Sequence, residues 1–251
     1  MKLPDKIFGI ETSKAYQDYL ERAEKKGDSG DGQEQPRIKM PASSSIQNAN
    51  SYLILPGKKH GIYEYPDLLV STTRSHNGED WNRSHEFLKQ EDSFMLALRQ
   101  YVDFLNMLRS GNAYDGSGKK VNKSALDGIL EDITKVKSPW RAEWLDAKFS
   151  SQNGKLQITY HDYQGNEVIE PLESCLMRDK TAGIDLSYWL DNATPHGLPP
   201  SDNSDGNLYY WHPRNNAVAR FGAGSVWAVL GCDWYPVNSD ASLGVRAAKI
   251  R

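Results

Sequence analysis

Apolar residues recur at helical spacing in two segments in the middle of the chain. Asp92 and Ser93 are suited to cap the first helix and Gly111 to end it, because short polar side chains bind the free N–H groups of a helix start and glycine accepts the left-handed conformation at its end. A second helix is predicted over 122–137, and a shorter amphipathic one over 80–90. The apolar face of the first helix comprises Phe94, Leu98, Tyr101, Val102, Leu105 and Leu108.

Elsewhere the apolar residues alternate with polar ones, which is the spacing of a half-buried strand. The turn formers at 152–154 and 164–166 separate three such segments, so a small antiparallel meander is expected after Trp140. Segment 184–190 is expected to carry Trp189 into the core. The predicted strands are 52–55, a region within 61–70 that Pro66 interrupts, 144–150, 155–163 and 167–172. Two helices packed on antiparallel strands, with no repeat of domain size, predict the α+β class.

The last part of the chain, 206–251, alternates between two kinds of segment. Three short apolar runs of small and β-branched residues indicate buried strands: 217–221, 228–232 and 243–248. Three other segments, 209–216, 222–227 and 233–240, mix Tyr, Trp, Asn, Ser, Asp and Gly without a helical or strand period, as antibody loops do. Because Tyr and Trp give large contact areas and Ser, Asn and Gly give adaptable hydrogen bonds, the pattern predicts a binding face on a rigid frame.

The composition of this part is also restricted. From Thr181 through Ala248 the chain contains no Lys, Glu, Gln or Met, although the remainder uses Lys and Glu freely. A buried β-rich core also disfavours Lys and Glu, but it explains the restriction only in part. Such a core would not carry Asn215, Asn216 and Asp233 so densely without a partner for each polar group.

The frame AVARF…AVLGC…SLGVRAA, interrupted by segments rich in Tyr, Asn, Ser and Asp, resembles the variable proteins that retroelements diversify, especially the archaeal and archaeal-virus members. The resemblance extends upstream to 63–70 and 81–108, and it implies a C-type-lectin-like fold with a largely irregular C-terminal ligand-binding face. In that family, misreading of template adenines turns Asn codons of the AAY type into codons for many residues, but not for Lys, Glu, Gln, Met or Trp. The absence of the first four agrees with this scheme. Trp211, Trp227 and Trp234 do not fit it, so each is either frame or derived from another adenine-bearing codon.

What the resemblance implies is a non-enzymatic display protein that binds a ligand or receptor, either an unknown protein or another cell-surface ligand. Its variable region would span about 201–240, and its carrier would be a virion or a cell surface. The expected ligand-binding residues are Tyr209, Tyr210, His212, Arg214, Asn215, Asn216, Ser225, Trp227, Asp233, Trp234, Tyr235, Val237, Asn238 and Ser239. For each aromatic residue taken alone a place in the core is an equal interpretation, and only the clustering with Asn and Ser favours contact with a partner.

The N-terminal part, 1–40, is predicted to be separate from the lectin-like domain, 41–251. Thr12 or Ser13 can cap a short helix that continues to Lys26. The stretch 27–36 has the composition of a flexible linker. The helix is interpreted equally well as a docking or oligomerisation element and as a loosely attached tail.

Charge and composition exclude several classes of protein. The 251 residues carry a formal charge of -3 and the pI is about 6.1, without the basic stripe of a nucleic-acid-binding protein. No apolar run approaches the length of a membrane span, and the first residues lack the apolar stretch of a signal peptide. Cys175 and Cys232 do not amount to a disulfide framework in a chain of this size, and Cys232 is interpreted as a small buried apolar residue.

The sequence predicts neither a catalytic site nor a metal site nor a cofactor. Its six histidines are scattered without His-x3-His or Cys-x2-Cys spacing, and His85 is interpreted as a structural residue. His161 and Asp162 point to opposite faces of a predicted strand and form no dyad. Two relatives of the expected fold remain alternatives: the formylglycine-generating oxidases, which need two nearby cysteines for copper, and the calcium-dependent sugar-binding lectins. The Glu-Pro-Asn and Trp-Asn-Asp motifs of such lectins do not occur at the required places.

Overall fold

The computed structural model describes Lys6–Ile7, Ile10–Glu11 and residues 49–251 apart from 62 and 173. By its contacts the chain divides into two units, Met1–Ser45 and Ile46–Arg251. In the first unit, β1 (Lys6–Ile7) pairs antiparallel with β2 (Ile10–Glu11). The predicted helix from Thr12 or Ser13 to Lys26 and the predicted linker lie outside the described residues.

The second unit combines helices and strands. Its helices are α1 (Trp81–Gln90), α2 (Leu98–Ser110), α3 (Lys123–Thr134) and α4 (Leu186–Asn192), preceded by a 3-10 turn, Ala49–Ser51. Its strands are β3 (Tyr52–Leu55), β4 (Lys58–His60), β5 (Tyr63–Tyr65), β6 (Leu68–Ser71), β7 (Phe94–Met95), β8 (Arg141–Gln152), β9 (Lys155–His161), β10 (Glu167–Pro171), β11 (Lys180–Ile184), β12 (Leu208–Trp211), β13 (Ala217–Ala223), β14 (Ala228–Trp234), β15 (Leu243–Val245) and β16 (Ala247–Ile250).

Two sheets carry the fold. The larger has eight strands in the order β10-β9-β8-β13-β14-β12-β11, with β15 added beside β8. Its pairs are antiparallel except for β12 with β14 and β15 with β8, which are parallel. The smaller sheet has the order β3-β6-β16-β7, and β4 and β5 form a separate antiparallel pair. Helices and largely antiparallel sheets in one unit confirm the predicted α+β class.

Local signals in the sequence account for several of these elements. Asp80 caps α1, because its side chain accepts a hydrogen bond from the backbone N–H of Arg83 at 2.8 Å. Asn122 caps α3 in the same way through Ala125 N, also at 2.8 Å. The predicted hairpin between β8 and β9 is confirmed, with Asn153 and Gly154 both at positive φ, as a two-residue turn of this kind requires.

Two local predictions are wrong because distant strands override the local pattern. Helix α2 begins at Leu98 rather than after Ser93, since Phe94–Met95 forms β7 and pairs with β16 at the other end of the chain. Segment 209–216 was expected to be irregular, yet Leu208–Trp211 is strand β12 and lies parallel to β14.

A buried ion pair joins the two sheets. Arg246 lies between β15, which pairs with the large sheet, and β16, which belongs to the small sheet. Its guanidinium donates to both carboxylate oxygens of Glu143 on β8, at 2.8 and 3.2 Å, and to the carbonyl of Ser71 on β6 at 2.9 Å. The side chains of the pair are 2% and 3% exposed. The pair therefore fixes the C-terminal strands to both sheets at one point.

We expect Glu143→Gln to lower the free energy of unfolding by about 3 kcal/mol, because it leaves a buried guanidinium without its counter-charge. The measurement is urea denaturation followed by circular dichroism. Lys123→Gln is the control, since it breaks an exposed pair with Asp127 and should cost less than about 0.5 kcal/mol. Equal losses in the two variants would contradict a structural role for the buried pair.

Candidate ligand-binding site

A groove of about 390 Å³ lies beside the loop that joins β13 to β14. The loop is closed by a hydrogen bond from Gly224 N to the carbonyl of Trp227 at 2.9 Å. The groove is lined by Trp140, Arg220, Gly224, Ser225, Val226, Trp227, Val229, Trp234 and Asp240. All of these except Trp140 fall within the stretch 201–240 that the sequence singles out. We call this cavity the tryptophan groove.

Arg220 is a buried cation in the wall of the tryptophan groove. The residue is 6% exposed, and its guanidinium carbon lies 3.7 Å from the ring centroid of Trp234 and 5.4 Å from that of Trp140. Its Nε and Nη1 atoms have no hydrogen-bond partner among the described residues. Burial lowers the pKa of the guanidinium to about 10, an effect that Asp233 and Asp240 partly offset. Arg220 therefore stays charged at neutral pH, with hydrogen-bond donors left to share.

Asp233 is a second incompletely satisfied group near the groove. Its Oδ1 atom is buried and has no hydrogen-bond partner in the described part of the chain. Burial raises the pKa of this carboxyl, and the charges of Arg214 and Arg220 act in the opposite direction. A buried polar atom without a partner is costly in a folded protein, so Asp233 Oδ1 is a candidate to accept a hydrogen bond from a ligand.

Asp179 holds two of the predicted ligand-binding residues. Its Oδ1 atom accepts a hydrogen bond from His212 N at 3.1 Å and lies 2.6 Å from His212 Nδ1, and its Oδ2 accepts from Arg214 Nη2 at 2.7 Å. Burial alone would raise the pKa of Asp179, but these hydrogen bonds and the charge of Arg214 lower it below the usual range. Asp179 lies outside the predicted variable region, and no spacing in the sequence indicated it.

An aromatic pair extends the face next to the groove. The rings of Tyr209 and Trp227 are stacked, with centroids 5.3 Å apart and planes 2° from parallel. Tyr209 comes from β12 and Trp227 from the β13–β14 loop, so the parallel pairing of β12 with β14 brings them together. Flat, half-exposed rings of this kind offer contact area at little entropic cost.

The predicted residues differ in exposure. Arg214, Asn215, Asn216, Ser225, Trp227, Tyr235, Val237 and Ser239 are exposed, and Tyr209, His212, Asp233, Trp234 and Asn238 are half-buried. The exception is Tyr210, which has 0% exposure and donates a hydrogen bond to the carbonyl of Leu176. Tyr210 is therefore a core residue, which corrects the expectation that it contacts a ligand. The physical reason is the strand β12, which turns alternate side chains inward.

Two of the exposed polar residues also have local structural tasks. The side-chain oxygen of Asn215 accepts a hydrogen bond from Ser151 N at 2.7 Å, so it fixes the turn before β13 against the end of β8. Asn216 has φ 60°, a left-handed conformation that asparagine tolerates better than most residues. Their side chains are exposed, but exchange at either position would change the turn as well as the surface.

One group of side chains suited to bind a metal occurs in the described residues. It comprises His85, Asp146 and His161, whose ligand atoms all lie within 4.8 Å of one another. Sequence spacing could not indicate it, because the three residues come from α1, β8 and β9. The acidic residues of the C-terminal stretch are not part of this group.

Comparison of the chain with protein-family models, with curated proteins and with solved structures finds no match in any of the three. In the described part of the chain, no helix is both long enough and apolar enough to cross a membrane.

Arg220→Met should leave the free energy of unfolding unchanged or raise it by about 1–2 kcal/mol, because it replaces an incompletely paired buried charge by an apolar side chain of similar size. The matched control is Arg246→Met, the same change at a fully paired arginine. Arg246→Met leaves the buried Glu143 carboxylate without its counter-charge and should lower the free energy of unfolding by about 3–5 kcal/mol. Chemical denaturation of both variants is the measurement, and a large loss for Arg220→Met would show that Arg220 serves stability.

Proposed function

We propose that the protein is a non-enzymatic ligand- or receptor-binding display protein with a C-type-lectin-like fold. Its C-terminal region would be diversified by a retroelement through adenine-directed mutagenesis. The observation that carries the proposal is the coincidence of two independent features. The stretch that lacks Lys, Glu, Gln and Met also supplies eight of the nine residues that line the tryptophan groove.

The division between frame and surface supports this proposal. Every residue of β13 is buried, and so are the first five residues of β14. The segments that follow these strands are exposed, with Val226 and Val237 each 70% and Tyr235 63% accessible. A buried, hydrogen-bonded frame keeps its shape when exposed side chains are exchanged, since surface substitutions usually change stability by less than about 0.5 kcal/mol.

The chemistry of the face favours a protein partner that presents an acidic group. Trp140, Trp227 and Trp234 provide apolar walls, and aromatic residues with arginine dominate the energetics of protein interfaces. Nε and Nη1 of Arg220 are buried donors, so a small local adjustment would be needed for a carboxylate to reach them. The exposed side chains of Val226 and Trp227 would bury apolar surface around the contact between Arg220 and the carboxylate.

The two alternative functions have less support. An oxidase of the formylglycine-generating type needs reactive thiolates at a surface groove, whereas Cys232 is buried and burial raises the pKa of its thiol well above the usual value. A calcium-dependent lectin needs several oxygen ligands around one cation. Asp202, Asp205, Asp233 and Asp240 are not among the converging ligand groups of the described residues.

The surrounding DNA tests the proposed origin of the variable face. We expect a near-repeat of the codons for about 201–250, differing at adenines and lying beside a reverse transcriptase gene. Among sequenced isolates, substitutions should fall at positions such as the half-buried Tyr209 and the exposed Tyr235 and spare the buried Tyr210. A locus without such a repeat, or substitutions spread evenly over buried and exposed positions, would refute diversification.

The adjacent tyrosines 209 and 210 also test the separation of frame from surface. Tyr210→Ala should lower the free energy of unfolding by about 3–5 kcal/mol, because it removes a fully buried ring. Tyr209→Ala loses a half-exposed ring and its stack on Trp227, which should cost about 1 kcal/mol. Thermal and urea unfolding of the two variants give the comparison. Similar losses would mean that Tyr209 belongs to the frame.

A further inference from the structure

Three side chains from distant parts of the chain meet beside the large sheet. His85 lies on α1, Asp146 on β8 and His161 at the end of β9. His85 Nε2 is 3.4 Å from Asp146 Oδ1, and His161 Nδ1 is 3.2 Å from each carboxylate oxygen of Asp146. The two imidazole rings have centroids 4.9 Å apart. Two imidazoles and a carboxylate therefore face a common point.

These separations are long for hydrogen bonds and suit shared ligation of a metal ion. Hydrogen bonds between an imidazolium and a carboxylate are usually about 2.7–2.9 Å long. His85 Nε2 is buried and has no hydrogen-bond partner among the described residues. Around a tetrahedral zinc ion with bonds of about 2.0–2.1 Å, neighbouring ligand atoms are about 3.3 Å apart. The distances of 3.2 Å from His161 Nδ1 and 3.4 Å from His85 Nε2 to Asp146 Oδ1 lie close to that value.

The three ligands are held in place by their surroundings. Asp146 Oδ2 accepts a hydrogen bond from the backbone N–H of His161 at 2.7 Å. The ring of Trp81 packs edge-on against His85 with centroids 4.2 Å apart, and Trp81 Nε1 donates to the carbonyl of Leu145 at 2.9 Å. Such contacts fix the orientation of metal ligands before the ion binds and raise affinity.

The backbone of β8 is irregular where it supplies the carboxylate. The pairing of β8 with β13 shifts register between Trp144 and Lys148, and Asp146 lies inside this interruption. Such irregularities re-aim a side chain and are over-represented beside functional sites. The Asp146 side chain is 1% exposed, so its charge requires compensation.

We propose that His85 Nε2, a carboxylate oxygen of Asp146 and His161 Nδ1 bind a divalent transition metal ion of the zinc class. Two imidazoles and one carboxylate suit zinc better than calcium or magnesium, which prefer oxygen ligands alone. The side chains of His85 and His161 are 20% and 31% exposed, so an ion and a fourth ligand such as water can reach the site.

The metal ion would join α1 to β8 and β9. Helix α1 also supports the C-terminal stretch, because Trp81 N donates to the carbonyl of Pro236 at 3.0 Å, next to the exposed Tyr235. Bound metal would therefore stabilise the support beneath part of the candidate face. This inference rests on the geometry of the three side chains and does not depend on the proposed function.

The test is zinc binding to the tag-free full-length protein after dialysis against a chelator, measured by isothermal titration calorimetry and by metal analysis. We expect one zinc ion per chain, a rise in the thermal midpoint on zinc addition, and a visible ligand-field spectrum when Co²⁺ replaces zinc. His85→Asn and His161→Asn should each weaken zinc binding by more than about tenfold. His60→Asn is the control, because His60 also contacts a carboxylate, Asp103, at 2.7 Å and lies outside the cluster.

Circular dichroism establishes that each variant is folded. If His161→Asn, which alters the end of β9, does not fold, the variant His85→Asn, at a partly exposed position of α1, provides the test. The proposal is overturned if the wild-type protein binds no stoichiometric zinc. It is also overturned if His85→Asn binds zinc as tightly as His60→Asn does.

Discussion

The buried contact between Arg246 and Glu143 is the constraint from which the arrangement of the C-terminal half follows. A buried charge pair contributes little net stability. Moving either partner away is costly, however, because the other charge is then left in the core without a counter-charge. Glu143 is paired with Phe221 on β13, and the neighbouring Trp144 is paired with Arg220. Fixing Glu143 therefore also fixes where Arg220 lies beneath the aromatic walls.

Two buried arginines of this fold have opposite roles. Arg246 donates to one carboxylate and one backbone carbonyl. Arg220 packs against the faces of Trp234 and Trp140, and its Nε and Nη1 atoms have no hydrogen-bond partner among the described residues. Polar groups held ready in a preformed cavity cost stability and reduce the reorganisation that binding requires.

Local signals in the sequence predict much of the fold but not the contacts that assemble the sites. Asp80, Asn122 and Asn153-Gly154 indicated helix starts and a hairpin correctly, because caps and turns depend on a few neighbouring residues. Strand β12 and the delayed start of α2 depend on pairing with β14 and β16, which no local period reveals. The exposed tips around Trp227 and Tyr235 could be predicted from residue type. The partners of Arg214 and His212, and the convergence of His85 with Asp146, could not, since they join segments far apart in sequence.

The position of Asp179 has a consequence for how the face can vary. This carboxylate lies outside the stretch 201–240, whereas Arg214 and His212, which hydrogen-bond to it, lie within that stretch. Replacing Arg214 or His212 therefore also removes a hydrogen bond from the Asp179 carboxylate and leaves its negative charge less compensated. Under the proposed diversification, variants would therefore differ in net charge at this point of the surface and would select partners by charge as well as by shape.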